Sequence, residues 1–214
     1  MSVFDSGEYE GWRQTRLVAL KNYYGSWLPG KRVLVLADGV GHVARALEKE
    51  GCVVVSSDAR EEHVLEARKR GSVSVVYNTE DPWPSDVPEL QGRYDLVVHW
   101  GLLYHVQDLK ASLQCLSRTD FCCLESEVWN SVNPKDFRDH PEHGPDQAAS
   151  AHSKGKWVTA ETVDALLYEY GCSYHRDHSP APNYSSRLYD WRVGSEVANP
   201  RRWWWVNCPP GVVG

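Results

Sequence analysis

Apolar side chains along this chain fall into two rhythms. Short runs, such as Val33-Leu34-Val35-Leu36 and Leu96-Val97-Val98, are unbroken by charge and read as strands buried on both faces. Between them, apolar positions recur every three or four residues, the spacing of a helix with one inward stripe. Strands are predicted over 31–36, 52–57, 72–77, 94–100 and 120–124, with two later ones near 171–175 and 202–206. Helices are predicted from Glu8 to Tyr24, from the turn at Gly41 to a stop at Gly51, from about Arg60 to Arg70 before Gly71, from Asp108 with Leu109, Leu113 and Leu116 on one face, and from Thr159 with Val163, Leu166, Leu167 and Tyr170. Strands alternating with helices imply an α/β protein with a mostly parallel sheet covered on both sides. The pattern fails over 127–158, which is rich in Pro, Asp, His, Gly and Ser and is expected to be an irregular lid inserted after the fifth strand.

A length of 214 residues with 42% hydrophobic composition supports one sizeable core, so residues 1–214 are expected to form a single domain. Within it, 1–30 is a helical flank, 31–126 the ligand-binding core, 127–158 the insertion, and 159–214 the final helix and strands. The net charge of -6 removes the attraction that drives most nucleic-acid binding, which disfavours that partner. No stretch approaches the ~18 apolar residues of a membrane span and the first residues are acidic, so a cytoplasmic protein without membrane contact is expected. Six cysteines without Cys-x-x-Cys spacing read as reduced core thiols. Trp203, Trp204 and Trp205 are consecutive, and a strand would send the outer two to one face and the middle one to the other.

The chemistry concentrates where the first strand ends. Gly39-Val40-Gly41-His42-Val43-Ala44 fits Gly-x-Gly-x-x-Ala, a turn whose backbone N–H groups face whatever lies above the strand. Asp58 follows Gly39 by 19 positions at the end of the second strand, where a carboxylate can accept from both hydroxyls of a ribose. Glycine at 39 and 41 is expected to let the backbone approach the ligand. Together with the stretch from Tyr94 to Asp108, these residues resemble the class I S-adenosylmethionine-dependent methyltransferases over about 30–125. The resemblance implies a Rossmann-like, doubly wound sheet. It also implies S-adenosylmethionine as cofactor, S-adenosylhomocysteine as product, and a small polar or nucleoside-like acceptor methylated on oxygen or nitrogen. Ala37, Asp38, Gly39 and Gly41 would contact the cofactor, Asp58 its ribose, Ala59, Arg60, Asn78, Thr79 and Glu80 its adenine, and His99, Trp100 and Gly101 its methionine portion. Two positions depart from the family: Val35 stands where an acid is common and Ala37 where glycine is. Asp38, three residues along, is the available substitute for the missing carboxylate.

Methyl transfer from a sulfonium needs alignment and removal of the acceptor's proton. His105, on the loop after the fourth strand, leads as base because imidazole titrates near working pH. Tyr104 beside it, and Glu125 and Glu127 at the end of the fifth strand, are further candidates. Within the insertion, His143, Asp146, Gln147 and His152 are expected to present hydrogen bonds to the acceptor. His140 and His143 form no compact metal-ligand set, since Pro141 stands between them, and no metal is expected. Arg201 and Arg202 ahead of the tryptophans read as strand residues with outward side chains. The same glycine turn and acid also satisfy a nicotinamide-dependent oxidoreductase, and a non-catalytic methyltransferase-like scaffold is the reading from a different class.

Overall fold

The computed structural model describes residues 5–141, 154–177 and 201–209. Its strands are β1 (Arg32–Leu36), β2 (Val53–Asp58), β3 (Ser74–Val76), β4 (Tyr94–Trp100), β5 (Thr119–Glu127), β6 (Phe137–Pro141), β7 (Lys154–Val158), β8 (Ser173–Arg176) and β9 (Arg201–Asn207). The helices are α1 (Gly7–Tyr24), α2 (His42–Lys49), α3 (Glu61–Lys69), α4 (Leu109–Ser112) and α5 (Ala160–Glu169). Side-chain caps start three of them: Tyr9, Ala111 and Thr162 donate their backbone N–H to Ser6, Asp108 and Thr159. The helix expected after Asp108 is only four residues long and tightens into a 3-10 segment over Leu113–Arg118, which still buries Leu113 and Leu116.

Seven strands form one sheet in the order β3-β2-β1-β4-β5-β9-β8. Pairing is parallel from β3 to β5, whereas β9 runs antiparallel to both β5 and β8. The chain therefore winds outward from β1 to β3, then crosses back to β4, leaving a crevice above the carboxyl ends of β1 and β4. Two cores lie on the two faces. Trp12, Leu17 and Leu20 of α1 pack with Leu47, Trp100, Trp203 and Trp205 on one. On the other, Val163 and Leu167 of α5 pack with Leu113, Leu116, Val97 and Trp204. The alternation of the three tryptophans is thus as expected, and all six cysteines are free and buried.

Within the segment expected to be an irregular insertion, two strands form a ribbon. β6 and β7 pair antiparallel, with Phe137 opposite Val158 and Pro141 opposite Lys154. The ribbon rests on the loop after β4, where His140 stacks on Trp157 at 4.0 Å and its Nε2 meets the Tyr104 carbonyl at 3.1 Å. A side chain at Gly155 would run into both groups at 2.2 Å.

His99 departs from its expected place near the methionine portion of the cofactor. Its neighbour Trp100 faces α1, so period-two alternation turns His99 to the opposite face, fully buried, with Nε2 3.2 Å from the Ser112 hydroxyl. Burial pushes its pKa down to about 4, so the imidazole is neutral in the fold. The unfolded chain takes up a proton near pH 6.5 that the native state refuses until about pH 4; stability is present above that window and falls as pH drops through it. His99 alone should account for a loss of up to about 3 kcal/mol across it, read as the change with pH in the urea-unfolding stability difference between wild type and His99→Gln. A difference that stays constant across that window would contradict the assignment.

Candidate functional site

The crevice above β1 and β4 holds two joined cavities. The larger, about 930 Å³ with its open mouth, is lined by Val35, Ala37 and Asp38 below, Trp100, Gly101 and Tyr104 at one side, and Tyr9, Trp12, Arg13 and Arg16 of α1 above. The smaller, about 450 Å³, is lined by Ala59, Arg60, Asn78, Thr79 and Glu80. Ala37, Asp58, Leu102 and His105 border both, so the two cavities adjoin there.

Asp58 anchors the floor. Its Oδ2 accepts the Gly39 N–H at 2.9 Å, its Oδ1 accepts the Arg60 N–H at 3.0 Å, and His63 Nδ1 lies 3.0 Å from Oδ1. Asp38 turns the other way. Its two oxygens accept the N–H groups of Val43 and Ala44, both at 2.9 Å, so it caps α2 while still bordering the larger cavity. Burial pushes its carboxyl up to about 7 against the pull of those two amides. The glycines divide their work differently from expectation. Gly39 (φ 58) offers its amide to Asp58, whereas a side chain on Gly41 would meet Ser72 Oγ at 2.8 Å and Ala67 at 3.0 Å. Gly41, at φ 79, therefore permits a close approach of the start of α2 to Ala67 of α3 and to Ser72. Ala37 has φ 52, a left-handed conformation that costs a side-chain-bearing residue about 1–2 kcal/mol.

At the far edge stands a buried ion cluster. Glu125, 0% exposed, lies 2.7 Å from Arg201 Nη1 and 2.8 Å from Arg16 Nη2. Arg201 also reaches Glu127 at 2.8 Å and the Tyr104 hydroxyl at 3.1 Å. Burial raises the Tyr104 phenol above its ordinary range even with the guanidinium beside it. Glu127 Oε2 accepts the Trp157 indole N–H at 3.2 Å, tying this cluster to the β6–β7 ribbon.

Residues 9–177 match the family model described as a methyltransferase domain. The chain belongs to the class I S-adenosylmethionine-dependent methyltransferases. A search of the curated proteins returns no match. Among solved structures, the fold is similar to the N-terminal domain of EvdMO1 crystallised with S-adenosylhomocysteine and D-fucose. Identity there is 19% over 91% of this chain and 83% of that one, at a TM-score of 0.66. A magnesium protoporphyrin IX methyltransferase from Synechocystis PCC 6803 with bound S-adenosylhomocysteine is 17% identical over 94% and 85%, at 0.61. The plantazolicin methyltransferase BamL, in complex with a triazolic desmethyl analog and S-adenosylhomocysteine, is 14% identical over 96% and 88%, at 0.64. The family match favours methyl transfer over the nicotinamide alternative.

Of the residues named from sequence, the methyltransferase brings Ala37, Asp38, Asp58, Ala59, Arg60, Asn78, Thr79, Glu80, Trp100, Gly101, Tyr104 and His105 to the two cavities. Several are already engaged: Thr79 Oγ1 lies 3.2 Å from Ser112 Oγ, and Glu80 Oε1 accepts the N–H groups of Gln107 and Asp108. Glu127 stands beside the site, held by Arg201 and Trp157. His143, Asp146, Gln147 and His152 lie outside the described residues. No group of three metal-capable side chains occurs among the described residues, and no described helix is long and apolar enough to cross a membrane. Arg201 and Arg202 correct the expectation of outward side chains, for both are 7% exposed and Arg201 lines the larger cavity. Sequence reasoning also passed over His63, although its place one turn into a helix that follows a strand-end acid marks it.

Two substitutions test this geometry. Ala37→Gly should stabilise the protein by about 1 kcal/mol in urea unfolding, because it releases the left-handed strain; an equal or lower midpoint would contradict it. Arg201→Ala should cost about 3–5 kcal/mol by leaving Glu125 short of a partner, and a cost below about 1 kcal/mol would show the cluster to be dispensable.

Proposed function

We propose that this protein transfers a methyl group from S-adenosylmethionine to the oxygen or nitrogen of a small polar or nucleoside-like acceptor. The observation that carries the reading is the pair of adjoining cavities that share Asp58: a polar lobe bordered by Asn78, Thr79 and Glu80 on one side, a larger aromatic and cationic lobe on the other, and a carboxylate at their common border. The residues present fit the cofactor. Asn78, Thr79 and Glu80 would border its adenine, Asp58 would take its ribose hydroxyls, and the Ala37–Gly39 turn with Trp100 and Gly101 would flank its methionine end. Arg13 and Arg16 of α1 line the lobe that would hold that end, and their remaining N–H groups would donate to its carboxylate. Once bound, the cofactor supplies an electrophilic methyl on a sulfonium.

The chain's own contribution is alignment and proton removal. His105 borders both lobes, so its imidazole is near the reacting end and is assigned the base role. Tyr104, oriented by Arg201, forms the acceptor wall with Trp12 and Trp100. The rim cations, paired with Glu10, Glu125 and Glu127, make a polar mouth suited to a small molecule, and the net charge of -6 argues against nucleic acid.

Calorimetry should show one site for S-adenosylhomocysteine per chain, weakened at least about tenfold by Asp58→Asn through loss of charge-assisted hydrogen bonds. Absence of binding by the intact protein would overturn the reading. In a transfer screen with labelled methyl donor against a metabolite extract, His105→Gln should lower incorporation about 100-fold while S-adenosylhomocysteine affinity stays within about twofold. Full incorporation by that variant would remove the base assignment.

A further inference from the structure

Asp58 is more heavily engaged than a ribose acceptor should be. An ionised carboxylate offers about four acceptor positions. Three donors already approach it: the amides of Gly39 at 2.9 Å and Arg60 at 3.0 Å, and His63 Nδ1 at 3.0 Å. A ribose diol brings two more, so the donors outnumber the positions by one.

The two amides cannot yield. Gly39 lies in the bend between β1 and α2, and Arg60 leads directly into α3, so withdrawing either N–H would rebuild the backbone that forms the floor. His63 is a side chain in the first turn of α3 and turns about its own bonds, and it borders the larger cavity. The pair is enclosed, with side chains 12% and 11% exposed, so water does little to weaken its hydrogen bond.

We infer that His63 is a resident competitor for the ribose position on Asp58: it leaves when the cofactor's diol arrives and returns as the product departs. The inference rests on the cofactor reading proposed above. Its consequence is kinetic as well as thermodynamic. Each binding event trades the His63 contact for a hydroxyl contact, which lowers affinity for the spent cofactor and gives Asp58 a partner the moment the ribose lifts away. In this account His63 is a product-release residue and takes no part in the transfer step.

Calorimetry on wild type, His63→Ala and His63→Asn tests this with S-adenosylhomocysteine and its 2′-deoxy analogue. A single hydroxyl fits the one remaining position, so the deoxy ligand should bind wild type and His63→Ala alike. S-adenosylhomocysteine should bind His63→Ala about fivefold tighter, through slower dissociation, as expected for an exchange worth about 1 kcal/mol. His63→Asn, which keeps a donor near the Nδ1 position, should stay close to wild type. On the wild-type protein, the His63 ring nitrogen resonances should shift on addition of S-adenosylhomocysteine and stay in place with adenine alone. Unchanged or weaker binding in His63→Ala, an equal gain for the deoxy ligand, or an unmoved His63 resonance would overturn the competitor role while leaving the cofactor reading intact. Failure of wild type to bind S-adenosylhomocysteine would overturn both.

Discussion

A carboxylate sealed from water is tolerated only where cations come to it, and Glu125 is that carboxylate. It is 0% exposed at the carboxyl end of β5, and leaving it bare would cost several kcal/mol. Two guanidiniums meet the demand, from opposite directions. Arg16 comes down from α1, which fixes that helix across the mouth of the crevice. Arg201 comes from the first residue of β9, and only an antiparallel β9 can bring its first residue to the edge where β5 ends. The remaining N–H groups of Arg201 then hold Glu127 and the Tyr104 hydroxyl. One electrostatic requirement therefore sets the roof, the far wall and the loop of the site together.

Beneath that roof the two strand-end acids have separate tasks. Asp38 caps α2, while Asp58 borders both lobes. Methyl transfer gains most from alignment, and the donor side is accordingly built on strand ends and short turns. The β6–β7 ribbon rests on the Tyr104 carbonyl through His140 and on Glu127 through Trp157. The close approach at Gly155 makes that contact tight.

Much of the fold was legible because burial on both faces leaves an unbroken apolar run, which is why β1, β2 and β4 stand out in the sequence. The bend at Gly39 and Gly41 was legible because a left-handed backbone favours glycine, and Asp58 because a buried strand ends on it beside the crevice. The individual roles were less so. The packing demand at Gly41 was hidden because Ala67 and Ser72, which fill the space beside it, are distant in sequence. His99 and Trp100 are adjacent and cannot share a face, a signal present in the alternation alone. Arg201 and Arg202 read as solvent-facing because nothing local says that β9 is an interior strand; the burial comes from β5, β8 and α1. The β6–β7 pairing was hidden because its strands are short, polar and separated by the 142–153 stretch.

The central claim is that one ligand spans both lobes across Asp58. A crystal structure of the protein with S-adenosylhomocysteine tests it most directly. The account predicts adenine beside Asn78 and Glu80, both ribose hydroxyls on Asp58, and the amino-acid end beneath Trp12 and Arg13. Density confined to one lobe, or at another surface with Asp58 untouched, would contradict it.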